Sequence, residues 1–147
     1  WIVRGLKKNN PNEQKIRFEI TETSLAAIGE NHTRMLMHLK ENGAEILLDD
    51  FGNGYSSFGM LQDYDFDILK IDISFVRNIG VNKKSESILR AIIDMAHQLG
   101  IRLVAEGAET EEQVAFLRAN GCEYIQGYYY YKPMPENEFL QLLDEGK

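Results

Sequence analysis

Short apolar runs rich in β-branched residues alternate along this chain with longer stretches of helical period. The runs are Ile16–Thr21, Glu45–Asp49, Phe66–Ile71, Arg102–Ala105 and Tyr124–Tyr129. Each is too short for an ordinary helix and reads as a buried strand. Between them, Met35, Leu36 and Leu39 share one helical face. So do Ile88, Ile92, Met95 and Leu99, then Val114 and Leu117. Leu140 and Leu143 mark a last helix, opened by Pro135 near its first turn. Helices are expected to end at Gly43, Gly100 and Gly121, because glycine accepts the left-handed conformation of a C-cap. Thr110-Glu111-Glu112-Gln113 is a capping box at a helix start. The polar stretch 80–86 reads as a loop. Strands alternating with helices predict a parallel sheet and an α/β fold of about five βα units. A (β/α)8 barrel and a doubly wound open sheet both satisfy that pattern.

Composition narrows the partners. The chain has 147 residues, 44% hydrophobic and 27% charged, which suits one soluble unit with a sizeable core. A formal net charge of −7 disfavours bulk nucleic acid, which calls for a basic surface. An acidic protein still binds an anionic substrate where metal ions neutralise its carboxylates. The single cysteine, Cys122, excludes an intrachain disulfide and a thiolate cluster, and fits a reducing, cytoplasmic compartment. No apolar run is long enough to span a bilayer, and Trp1–Lys8 lacks the apolar core of a signal peptide. The chain starts at Trp1 rather than Met and reads as part of something longer.

The chemistry sits at the strand ends. Glu19 and Glu22 close the first strand, Asp49 and Asp50 the second, Lys70 and Asp72 the third, and Glu106 the fourth; Gln126 lies in the fifth. Parallel strands bring these ends to one face, where α/β folds place their sites. Any one of these residues alone reads as a rim group, a cap or a salt-bridge partner; their convergence is the signal. Crowded carboxylates either gain protons or gather a cation, and hard oxygen donors select Mg²⁺, Mn²⁺ or Ca²⁺. Consecutive strand residues point to opposite faces, so Asp49 and Asp50 reach one site only if the strand ends or bends there. Phe51-Gly52-Asn53-Gly54 supplies a turn at that point. His32, His38 and His97 lack metal-ligand spacing, and Cys122 reads as an apolar filler. Tyr128–Tyr131 reads as strand and rim packing, with a ring able to stack on a base.

These residues fall into a set that resembles the EAL phosphodiesterase family. Its pieces are Phe18–Glu22, Asp49–Ser57, Leu69–Asp72, Val104–Glu109, Gln126–Tyr129 and Lys132–Pro135, in order and at fitting spacing from about residue 15 onward. Asn53 stands where Thr is usual, and Ala108 where Val is usual. The resemblance implies a modified TIM barrel, here an incomplete one, hydrolysing cyclic di-GMP to linear pGpG with two Mg²⁺ or Mn²⁺ ions. It implies Glu19, Asp49, Asp50 and Glu106 as metal ligands, with Asp49 bridging. Lys70, Glu106 and Gln126 become the catalytic set, and Gln126, Asp72 and Pro133 the substrate contacts. Glu22 anchors a regulatory loop of Phe51, Gly52, Asn53, Gly54, Tyr55, Ser56 and Ser57 that reaches toward a homodimer interface.

In the family, the Glu-Ala-Leu signature and a following Asn also bind metal, and both would precede Trp1. The expectation is therefore a fragment, residues 1–147 being the later part of one EAL domain, joined upstream to the rest of the barrel and to sensor or GGDEF modules. On its own it should be poorly active, with exposed strand edges that invite pairing with a second copy. The alternative is a degenerate EAL domain that binds cyclic di-GMP as a receptor, or acts only as an interaction module. Such domains usually lose metal ligands or the loop, whereas Glu19, Asp49, Asp50, Lys70 and Glu106 are all present.

Overall fold

The computed structural model describes residues 16–26, 31–52 and 57–145. Five strands are observed: β1 (Arg17–Thr21), β2 (Glu45–Phe51), β3 (Ile68–Ile71), β4 (Arg102–Glu106) and β5 (Tyr124–Gln126). Among the described residues the helices are α1 (Glu22–Ala26), α2 (Asn31–Glu41), α3 (Ser57–Asp63), α4 (Ile73–Arg77), α5 (Lys83–Leu99), α6 (Glu111–Ala119) and α7 (Glu136–Asp144). All neighbouring strands pair in parallel, in the spatial order β1-β2-β3-β4-β5.

That order settles the choice the periodicity left open. A doubly wound sheet reverses direction at a switch point, whereas a barrel adds each strand beside the last. Strictly sequential order is barrel winding. Right-handed crossovers then keep the helices on one side of the sheet. Ile46, Leu48, Leu69, Ile71, Leu103 and Ala105 point to that side, and they are buried with Leu36, Leu39, Leu89, Ile93 and Leu117 in one core. The alternate residues line the concave face: Glu19, Leu47, Lys70, Val104 and Gln126 border a cavity of 230 Å³.

The helix ends follow local chemistry. Gly43, Gly100 and Gly121 all adopt positive φ, at 85°, 70° and 84°. Thr110 and Gln113 form the capping box, with Gln113 N–H donating to Thr110 Oγ1 at 3.3 Å and Thr110 N–H to Gln113 Oε1 at 3.1 Å. At the sheet's other end, buried Glu45 takes Arg17 and Arg102, each at 2.9 Å. Asp67 accepts the backbone N–H of Ile46 at 2.8 Å, tying the β3 entry to β2.

Several expectations need correction. Stretch 80–86 is not all loop: α5 begins at Lys83, and Asn82 caps it by accepting from the N–H groups of Lys84 and Ser85. Its first turn is polar because much of it faces solvent, while Glu86 turns inward to accept Gly80 N–H at 3.0 Å. The fifth strand stops at Gln126 rather than Tyr129. A side chain at Gly127 would overlap the Ala108 backbone, and the chain turns there, with Tyr129 N–H bonding back to Ala108 O at 3.0 Å. Tyr128–Tyr131 therefore follows the strand and is exposed. Two helix faces are rotated from the expected ones. Met35, Ile88 and Leu99 are exposed, and α5 instead buries Leu89, Ile92, Ile93 and Ala96. In α7, Leu140 and Leu143 are exposed at 53% and 58%, and no residue of that helix is buried. The short helices α1, α3 and α4 were not foreseen; each spans two turns or less, too little for a period to emerge.

Two substitutions separate core packing from capping. Leu69→Ala removes a fully buried side chain and should lower unfolding free energy in urea by about 2–5 kcal/mol. Thr110→Ala loses only a cap and should cost about 1 kcal/mol.

Candidate metal centre

The mouth of the sheet collects the polar strand ends around one ammonium group. Lys70, on the central strand β3, points into the concave face with only 10% of its side chain exposed. Its Nζ lies 2.6 Å from Glu106 Oε1 on β4, 2.9 Å from Asp49 Oδ1 on β2 and 3.3 Å from Glu19 Oε2 on β1. Four adjacent strands thus meet at one nitrogen. Burial would lower the lysine pKa, but hydrogen bonds and charge from Glu106 and Asp49 outweigh it and hold it well above the ordinary range. Lys70 is an ammonium at neutral pH. In this arrangement it donates hydrogen bonds to its carboxylate neighbours.

The paired aspartates reach one site through a backbone irregularity. Register between β2 and β3 shifts between Leu48 and Phe51. Within that shift Asp50 adopts φ 57°, in the left-handed region that non-glycine residues rarely enter. Aspartate tolerates it better than most residues, and such strain concentrates at functional sites. Its N–H donates to Asp49 Oδ1 at 3.0 Å. As a result, carboxylate oxygens of Asp49, Asp50 and Glu106 lie within 4.8 Å of one another, close enough to share a cation. Burial, then the charges of Asp49 and Asp72, push the Asp50 carboxyl up from its ordinary value, while Lys70 acts against them. Oxygen-only donors at this spacing fit a hard divalent ion. Glu19 joins the cluster through Lys70 and its side chain is 55% exposed.

The remaining candidates separate by contact. Glu22 is buried at 5% exposure; its Oε1 accepts Gly52 N–H at 3.1 Å, while Oε2 has no hydrogen-bond partner among the described residues. This carboxylate thus grips the start of the loop after β2. Gly52 itself has φ 96°, and a Cβ there would sit 2.5 Å from the Phe75 ring. Phe51 is buried and packs edge-on against Phe58 at 5.7 Å. Asn53, Gly54, Tyr55 and Ser56, and the side chains of Ser57 and His32, lie outside the described residues. Gln126 pairs with Glu106 in the β4–β5 register and borders the same cavity as Lys70. Asp72 is buried and caps α4, its Oδ1 accepting Ser74 N–H at 2.9 Å. Pro133 is exposed on the segment before α7.

Cys122 is buried, its thiol pushed up to about 11 by burial, which suits a filler. His97 meets Gly121 O at 3.0 Å, tying α5 to the end of α6, and His38 lies 3.7 Å from Glu41 one turn away. One group went unread in the sequence: Arg118 donates to Tyr130 Oη at 3.1 Å, and Lys132 lies over the Tyr128 ring. The sequence pointed to the tyrosines but not to their basic partners, because the turn after β5 brings them together.

Comparison with known proteins now decides the family. The EAL domain matches residues 1–133. The chain belongs to the EAL family. This EAL chain is 42% identical over 120 residues to the cyclic di-GMP phosphodiesterase NbdA of Pseudomonas aeruginosa, covering 82% of the chain and 15% of that protein. The crystal structure of the EAL domain of Mycobacterium smegmatis DcpA superposes with a TM-score of 0.90 at 36% identity, covering 99% of this chain and 66% of that one. A manganese and cyclic di-GMP complex of Klebsiella pneumoniae BlrP1 superposes at 0.80 with 30% identity, covering 87% of this chain and 33% of that one. The chain spans 15–25% of the length of the first curated relatives it matches. The barrel reading of the fold holds, and the five strands here correspond to an incomplete barrel. No helix among the described residues is long and apolar enough to cross a membrane.

The conformation of Asp50 can be tested apart from its charge. Asp50→Gly and Asp50→Ala both remove the carboxylate, but only glycine relaxes at φ 57°. Urea unfolding should find Asp50→Gly more stable than Asp50→Ala by about 1 kcal/mol. Equal stability would mean the backbone there bears no strain.

Proposed function

We propose that this EAL chain carries the catalytic half of a metal-dependent phosphodiesterase that opens cyclic di-GMP to linear pGpG. The observation that supports it most is the carboxylate trio of Asp49, Asp50 and Glu106 gathered beside Lys70 at the mouth of a parallel sheet. NbdA is a cyclic di-GMP phosphodiesterase, and BlrP1 binds manganese with cyclic di-GMP; both resemble this chain.

In this reading Asp49, Asp50 and Glu106 hold Mg²⁺ or Mn²⁺, and Glu19, which meets Lys70 rather than the trio, is proposed as a further ligand. Bound there, divalent ions would neutralise the phosphodiester and lower the pKa of a water. The protein's own groups set the rest. Lys70, kept charged by its neighbours, donates to a water or to a phosphate oxygen and offsets developing negative charge. Gln126, across from Glu106, orients water or a phosphate oxygen through its amide. The Glu22–Gly52 contact fixes the residue from which the proposed regulatory loop departs. Asp72 caps α4 and adds a negative charge felt by Asp50, and Pro133, exposed before α7, is proposed as a substrate contact.

The test is chromatographic detection of pGpG from cyclic di-GMP with Mg²⁺ or Mn²⁺, using the protein and its Asp49→Asn variant. The expected result is turnover that EDTA abolishes and that Asp49→Asn lowers by about 100-fold or more, since even groups behind metal ligands are worth 10–100-fold. Cyclic di-GMP bound with metal but left uncut would replace this reading with that of a receptor.

A further inference from the structure

We infer that Lys70 is a built-in competitor for the divalent cations of this centre, so that cation binding and release of its side chain are one event. This rests on the reading of the carboxylate trio as a metal site and adds a control on how tightly that site binds.

The competition follows from shared atoms. Asp49 and Glu106 belong to the trio able to hold an ion, and their oxygens Oδ1 and Oε1 are the ones Lys70 approaches, at 2.9 and 2.6 Å. An ammonium at hydrogen-bond distance and a divalent ion cannot both sit against those oxygens without close positive repulsion. Lys70 cannot withdraw far, because it stands on the central strand between the two strands that carry its partners, Asp49 on β2 and Glu106 on β4. Its stem is buried in the concave face, whose floor is the apolar trio Leu47, Ile68 and Val104. The direction left to its head is the open mouth, past Glu19 and Gln126. A cation arriving at the trio would turn the ammonium toward that mouth, where an anionic substrate is received. The same lysine that weakens metal binding is then delivered to the substrate side.

The sign of this effect separates it from a purely structural role. A lysine that merely holds the carboxylates in place supports cation binding, so its loss weakens it. A competing lysine does the opposite. Calorimetric titration with CaCl₂ alone, without nucleotide, should find Lys70→Met binding Ca²⁺ about tenfold or more tightly than the wild type, given the strength of a nearby unit charge. Lys70→Arg keeps the charge and should stay near the wild-type affinity. The rise in melting temperature on adding Ca²⁺ should be larger for Lys70→Met than for the wild type. Tight binding by Lys70→Met beside a silent wild type would also support competition. Equal or weaker binding by Lys70→Met, with a wild type that binds, overturns it and leaves the metal site standing. Binding by neither protein overturns the metal site and the competition together. Should Lys70→Met fail to fold, amine acetylation of wild-type Lys70, followed by mass spectrometry, decides the matter. Saturating Ca²⁺ should speed its modification; an unchanged or slower rate overturns the proposal.

Discussion

An ammonium group held among carboxylates from three different strands is the interaction on which this site depends. Parallel strands in sequential order deliver their C-terminal ends to a single rim, and with them the charges of Glu19, Asp49, Asp50 and Glu106. Left alone, those charges would repel each other across a few ångströms in a poorly solvated space. Lys70 rises from the middle strand into their centre and makes the arrangement tolerable. Without a counter-charge the strand ends would have to splay, take up protons or draw in another cation.

The two ends of the sheet use charge differently. At the N-terminal end, Glu45 is buried and held by Arg17 and Arg102, a closed arrangement in which the arginines clamp a carboxylate. Asp67 likewise spends an oxygen on the Ile46 backbone. Those contacts knit neighbouring strands and present no open coordination position. At the C-terminal end the carboxylates share their counter-ion unequally, and Asp50 is brought in by a strained residue rather than by regular pairing. Strain and unequal charge sharing mark the end proposed for the chemistry; compact pairing marks the end that holds the sheet together.

The loop after β2 links these properties. Gly52 passes so close to Phe75 that no side chain fits, and Glu22 reaches from the start of α1 to accept its N–H. One oxygen of Glu22 is left without a partner among the described residues, which is costly for a buried carboxylate. A grip made through one oxygen and one glycine amide is a light one. It ties Gly52, two residues after Asp50, to the start of α1.

The sequence by itself determined which strands exist, where three helices end, and which polar residues stand at the strand ends. These are local matters: β-branched runs, glycines at positive φ, and the Thr110 box act through neighbouring atoms. It also carried the family, because the residues that hold charge at the rim recur in order and spacing. Other features were decided only in three dimensions. Whether five βα units wind as a barrel or an open sheet depends on pairing between strands 20 or more residues apart, and periodicity is silent about which strand lies beside which. The face of α5 that is buried turned on where the sheet sits, so Leu89 went inward and Ile88 outward. Leu140 and Leu143 read as the apolar face of a last helix in the sequence, yet the structure leaves them exposed, because burial is a property of what packs against a helix and not of its pattern. The adjacency of Asp49 and Asp50 required the strand to end or bend if both were to reach one site; the left-handed conformation at Asp50 showed how. That Lys70 touches three of the acidic side chains at once was decided by the tertiary structure alone, since charge balance forms across strands and leaves no trace along any one of them.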